Sequence, residues 1–276
     1  HDDASLHKTL TKWQSHFDIE NNTQWPLWQI AYLHGYGDGS ARVYFALHHL
    51  IIDAVSWRIL IDDLKDLYEG KSLLAKTSSY RQWVDTVTVY PKNNPTEQSY
   101  WEDVLNSTPD YSHHPTTMPS IGEAKLSLTD TQSFLQQANQ AYHTEINDLL
   151  LTALAYALQA WNNENIQGIT LEGHGRESLD QHIDTNKTIG WFTSMYPVKL
   201  ALKSTLRESI KFIKESLREI PNKGIGFGPF TQAKGNDLST SQLPPISFNY
   251  LGQFGAEKGA EPKNKKTQSK RWHLSN

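Results

Sequence analysis

The sequence predicts a mixed α/β protein of two lobes, and three observations carry that reading. Short β-rich runs alternate irregularly with amphipathic helical stretches, which fits two α/β lobes better than one doubly wound sheet. A segment rich in Ser, Thr, Pro and His, residues 107–122, breaks the pattern near the middle. The chain has 276 residues, 37% of them apolar, enough for a real core at about 100–200 residues per domain. The expected division is an N-terminal lobe at 1–110, a linker at 111–122 and a C-terminal lobe at 123–276.

The first expected strand is Ala41 to Leu47, bounded upstream by the glycine-rich turn Gly35 to Gly39. A helix follows from about Val55 to Glu69, with Leu60, Leu64, Leu67 and Tyr68 on one face and Gly70 at its end. A second helix holds Tyr80, Trp83, Val84 and Val87. A third opens on Asn94 and Pro95 and carries Trp101, Val104 and Leu105. Beyond the linker, Thr144 is the expected cap of an apolar helix through Leu149, Leu150, Ala153, Ala157 and Trp161. Strands are expected at Gly168 to Leu171, Ser194 to Leu200 and Ile246 to Leu251. Thr205 and Glu208 form a capping box for a helix that Pro221 ends.

Composition removes several functions. Net charge is −4, and the one basic cluster, Lys263 to Arg271, lies in a polar Gly- and Pro-flanked stretch that reads as a solvated end, so no nucleic-acid surface is expected. The absence of cysteine excludes disulfides, a thiolate nucleophile and Cys-based zinc sites, and it fits a reducing, cytoplasmic setting. No apolar run reaches the ~18 residues of a membrane span, and no membrane partner is expected. The chain opens on His1 and reads as a piece of something longer.

Two segments could carry acid–base chemistry. In HHLIIDAVSW, His48 to Trp57, strand alternation gives His49 the parity of Val43, Phe45 and Leu47 and sends His48 to the other face. A histidine at the end of a buried strand with a carboxylate nearby can be a general base at neutral pH, but the pair alone reads more readily as structural, with Asp53 merely capping the next helix. The dipeptide recurs at His113 and His114 within the linker. A metal site on His49 and Asp53 lacks a third ligand at compact spacing, and Ser56 lacks a nucleophile elbow. In LEGHGRE, Leu171 to Glu177, Gly173 and Gly175 permit a tight turn that aims Glu172 into a cleft. The alternative is a surface turn with Glu172, Arg176 and Glu177 in ordinary ion pairs. KGIGFG, Lys223 to Gly228, follows a helix and is not a dinucleotide fingerprint. FNYLGQF, Phe248 to Phe254, offers Asn249 and Tyr250 to a polar ligand.

HHLIIDAVSW, LEGHGRE, TIGWFTSMYP (Thr188 to Pro197), KGIGFG and ISFNYLGQF occur in this order. The series resembles the signature of epimerization domains of nonribosomal peptide synthetases, in the condensation-domain superfamily. The HHxxxD element is common to the superfamily; the later blocks resemble the epimerizing branch. Ala54 stands where glycine is more usual.

The resemblance implies two chloramphenicol-acetyltransferase-like lobes in a V-shaped pseudo-dimer, here shortened at both ends. It implies that His49 and Glu172 face each other across the tunnel as catalytic acid–base groups. His48, Asp53, Trp57, Asn249 and Tyr250 are then supporting or substrate-binding residues, with Asp53 structural and the Asn249 amide and Tyr250 hydroxyl as donors to an oxyanion. No metal or bound cofactor is expected; the 4'-phosphopantetheine thioester arrives on a carrier protein. The implied partners are an upstream carrier domain and a downstream condensation domain. The rival readings are a peptide-bond-forming condensation domain and a non-catalytic carrier-docking module.

Overall fold

The computed structural model describes residues 3–17, 19, 26–109, 111, 121–233, 238 and 242–250. Helix α1 (Asp3–Gln14) precedes a hairpin of β1 (Trp28–Leu33) and β2 (Arg42–Leu47), paired antiparallel with Trp28 opposite Leu47. Helices α2 (Ala54–Tyr68), α3 (Tyr80–Asn93) and α4 (Glu97–Asn106) follow. After α5 (Leu128–Ser133) comes the long α6 (Ile146–Asn162). Then β3 (Ile166–Gly173), β4 (Ser194–Ala201), α7 (Leu206–Arg218), α8 (Phe227–Gln232) and β5 (Ser247–Phe248) complete the described chain. The second sheet has the order β4-β3-β5, with β3 antiparallel to β4 and parallel to β5.

The central place of β3 follows from its composition. Ile169 and Thr170, on opposite faces, are both buried, so the strand is covered on two sides. Helices α6 and α7 meet each other and this sheet through Leu151, Ala155, Ile210 and Ile213. Helices α3 and α4, although they precede 111–122 in sequence, pack into the same core: Trp83, Tyr90 and Trp101 join Ile169, Tyr196 and Phe227. Trp101 meets Phe227 edge-on at 5.4 Å between ring centroids.

Several local expectations need correction. Helix α1 and strand β1 carry no signal strong enough to have been expected. The buried face of α2 is Ser56 and Ile59, while Leu67 and Tyr68 are exposed, because α2 turns its first two turns toward the chain around Gly190. Asn94 closes α3 instead of opening α4: its backbone N–H donates to the Tyr90 carbonyl. Helix α6 begins at Ile146, and the Asp148 carboxylate accepts from the Glu145 N–H, so the cap is one residue beyond Thr144. Its core line is Leu151 and Ala155, with Ala153 and Ala157 exposed. Strand β3 is longer than expected and β5 shorter; Leu251 to Phe254, the His113–His114 pair, the basic cluster from Lys263 to Arg271 and most of 111–122 lie outside the described residues. Of the expected capping box, the structure has the Thr205 half: its side chain caps α7, accepting from the Glu208 N–H. Among the described residues no helix is long and apolar enough to cross a membrane.

One buried carboxyl lies in this core. Glu97 is 7% exposed and accepts from the Tyr90 hydroxyl and, at 2.9 Å, from the Trp101 indole N–H. Burial raises its pKa above the ordinary 4.5, against the opposing pull of those two donors. A carboxyl raised on folding contributes stability below its unfolded value and loses it as pH rises through the folded one. Thermal midpoints measured over roughly pH 4–8 should therefore decline upward from 4.5 more steeply in the parent than in Glu97→Gln. Equal slopes would show that Glu97 costs the fold nothing on ionising.

Candidate functional site

The HHLIIDAVSW segment does not continue β2 as a strand. His48 follows β2 and its Nδ1 accepts from the Leu50 N–H at 3.1 Å, closing a single 3-10 turn over His49–Ile51. The alternation expected for the two imidazoles therefore stops at Leu47. They nevertheless diverge: the His48 ring meets Phe17 edge-on, and His49 meets Trp191 at 5.4 Å between centroids. Trp57 lies half-buried on α2. Ala54 is the first residue of α2 and needs no left-handed backbone, so glycine is not required there.

Asp53 is 3% exposed and both of its oxygens are engaged. Oδ1 accepts from the Ser56 N–H at 2.6 Å as the cap of α2. Oδ2 accepts from the Phe192 N–H at 3.1 Å. Arg176, from the second segment, reaches both oxygens through Nη2 at 3.3 and 3.4 Å. Its side chain is 6% exposed, and Nη1 donates to the carbonyls of Thr185 and Thr188 at 2.7 and 2.8 Å. The guanidinium also lies 3.9 Å over the Phe192 ring. Burial draws the Arg176 pKa down while Asp53 holds it up.

Ser56 completes the junction. Its hydroxyl donates to the Gly190 carbonyl at 2.9 Å and accepts from the Gly190 N–H and from Arg176 Nη2 at 3.1 and 2.8 Å. That uses its full hydrogen-bonding capacity, so its place is a tie between α2 and the TIGWFTSMYP segment. Farther along, the Tyr80 hydroxyl donates to the Trp191 carbonyl at 2.6 Å. Ser56, weighed in the sequence only as a nucleophile, serves as a tie, and Trp191 is a site neighbour that sequence reasoning did not single out.

The LEGHGRE turn is built around Gly175. Its φ is +66°, and a Cβ there would lie 1.6 Å from the Phe192 carbonyl oxygen, so the backbones touch only because the side chain is absent. Glu172 lies before the turn at the end of β3, opposite Met195 of β4. It is half-buried and its Oε2 accepts from the Asn249 side-chain amide at 2.6 Å. Parallel register places Phe248 opposite Leu171, which brings Asn249 alongside Glu172. Tyr250, the next residue, is 37% exposed. Among the described residues no hydrogen bond or ion pair joins His49 to Glu172, and no three His, Asp or Glu residues gather as a metal site. The two segments meet instead through Asp53 and Arg176.

Removing one partner of a buried charge pair leaves the other uncompensated, at a cost of about 3–5 kcal/mol. Arg176→Met should therefore lower unfolding free energy by about that amount in denaturant titrations. Arg176→Lys should restore less than half of it, because a lysine ammonium cannot reproduce the planar fork reaching Thr185, Thr188, Ser56 and Asp53 together. Full rescue by lysine would mean that charge alone matters here.

Comparison with known proteins gives the family. The condensation-domain family model matches residues 2–275. The chain is 40% identical over 261 residues to N-(5-amino-5-carboxypentanoyl)-L-cysteinyl-D-valine synthase of Amycolatopsis lactamdurans, covering 93% of this chain and 7% of that protein. It is 38% identical over 254 residues to gramicidin S synthase 1 of Brevibacillus brevis, covering 84% of this chain and 23% of that protein. Among solved structures, it resembles the epimerization domain from the third module of tyrocidine synthetase B, with a TM-score of 0.74 and 35% identity. That match covers 92% of this chain and 62% of that domain. The chain thus spans a small part of the synthetases it matches, and it belongs to the condensation-domain family.

Proposed function

We propose that this chain epimerizes the α-carbon of an aminoacyl or peptidyl thioester carried by a partner protein in nonribosomal peptide synthesis. The observation that carries the reading is the Asp53–Arg176 pair, which ties the histidine-bearing turn to the turn following Glu172. The likeness to an epimerization domain over 92% of the chain supports it.

The chemistry has simple demands. Inversion requires a proton taken from one side of the α-carbon and returned from the other, so two acid–base groups are needed. In this proposal those groups are His49 and Glu172. As one takes the α-proton, the C–H electron pair moves into the thioester carbonyl, forming an enolate. The other group then returns a proton to the opposite face as the carbonyl re-forms. Asn249 already donates to Glu172, so it orients that carboxylate, and the exposed Tyr250 hydroxyl is the donor offered to the enolate oxygen. Asp53 and Arg176 do not exchange protons; they hold the turns. The phosphopantetheine arm bearing the thioester comes from the carrier domain upstream, and the product passes to a condensation domain downstream.

The test is to load the carrier with an L-aminoacyl group, add the protein in deuterated buffer, and resolve the released residue on a chiral column. Glu172→Gln and His49→Ala should each lose about 10²–10⁴-fold in inversion rate. Each should still exchange the α-proton of one enantiomer with solvent, because each retains the group serving the other face. Wild-type inversion by either variant would sink the two-base assignment. Dipeptide formation with a second loaded carrier, without inversion, would favour condensation instead.

A further inference from the structure

The KGIGFG segment is not absorbed by the chemistry above, yet it begins in the one run of successive left-handed non-glycine residues among the described residues. After α7, Pro221 opens a short turn in which Asn222 and Lys223 both lie in the left-handed region, at φ 41° and 50°. Gly224 follows at φ +83°. Side chains with a Cβ adopt this conformation only when their surroundings compel it.

The surroundings here are named residues. The Asn222 side-chain amide donates to the Tyr90 hydroxyl, which in turn donates to the buried Glu97 carboxylate. Trp101 donates to the other Glu97 oxygen. Gly224 lies flat on the Tyr196 ring, where a Cβ would come within 2.1 Å. Burial lifts the Tyr196 hydroxyl to about 12, so it stays a neutral phenol.

Held in this way, the turn reaches the end of β3 at two points. The Lys223 carbonyl oxygen comes within 3.6 Å of the Cβ position of Gly173. The Lys223 ammonium lies 3.4 Å from Glu177 Oε2, while His174 Nε2 lies 3.3 Å from the other oxygen of the same carboxylate. Glu177 adjoins Arg176, and Gly173 adjoins Glu172.

We infer that Tyr90, Glu97 and Asn222 act as positioning residues: they pin the left-handed turn so that Lys223 braces the Gly173–Glu177 loop and sets the aim of Glu172. This rests on Glu172 being one of the two acid–base groups. The distinguishing feature is Lys223 itself. Its side chain is 74% exposed, so its loss should leave the core untouched.

Two variants and two readouts test it. Lys223→Met should keep the parent thermal midpoint and substrate KM but lower the inversion kcat by about 10–100-fold, the order of cost expected when a reacting group is held loosely. Tyr90→Phe, which keeps ring and packing, should release the Asn222 tether. It should speed amide hydrogen exchange across residues 173–177 by about tenfold, with exchange in α7 unchanged, as for local opening. Should Tyr90→Phe unfold the protein, Asn222→Gly, which accepts the left-handed backbone but lacks the tether, gives the same readout. Unchanged exchange over 173–177, or an unchanged kcat in Lys223→Met alongside an inactive Glu172→Gln, overturns the brace and leaves the two-base reading standing. An active Glu172→Gln removes the two-base reading, and the exchange measurement alone then decides whether the brace exists.

Discussion

The arrangement of this protein turns on one buried guanidinium. Arg176 serves four acceptor residues from two stretches of chain, 53–56 and 185–188, and its guanidinium rests on Phe192. A buried charge is costly unless paired and hydrogen-bonded, so this residue demands that Asp53, Ser56 and the 185–192 loop all be in place. That demand acts as a geometric specification. The turn with His49, the loop with Trp191 and the turn after Glu172 cannot be placed independently of one another.

The same economy governs how small residues are used. Gly175 lets the LEGHGRE backbone touch the Phe192 carbonyl, and Ser56 fits between α2 and Gly190 while using every lone pair and proton it has. Close approach of backbones, not flexibility, is the physical role of these positions. Segments far apart in the sequence are then joined by directional bonds.

A second polar cluster, around Glu97, lies inside the aromatic core formed by Trp101, Tyr90 and Phe227. Aromatic rings with a polar handle can fill space and still satisfy a buried carboxyl, which is why α3 and α4 can carry Glu97 into the face of the second sheet. The consequence is that helices early in the sequence share the core of a sheet formed later in it.

Much of this could be read from residues alone. The β-rich runs, the capping of α7 by Thr205, the glycine turn after Glu172 and the capping of α2 by Asp53 all follow from local chemistry: alternation, a side-chain cap, a residue without a Cβ, a carboxylate at a helix start. The ordered motif series likewise pointed to the family that the comparisons show. Local chemistry did not reach the partners. That Arg176 answers Asp53, 123 positions earlier, that Asn249 lies beside Glu172, and that α4 packs on β4 depend on which surfaces meet. The rotated faces of α2 and α6 have the same cause. An amphipathic pattern says that a helix has a buried side, but when apolar residues ring it broadly, only the neighbouring elements select which side is covered.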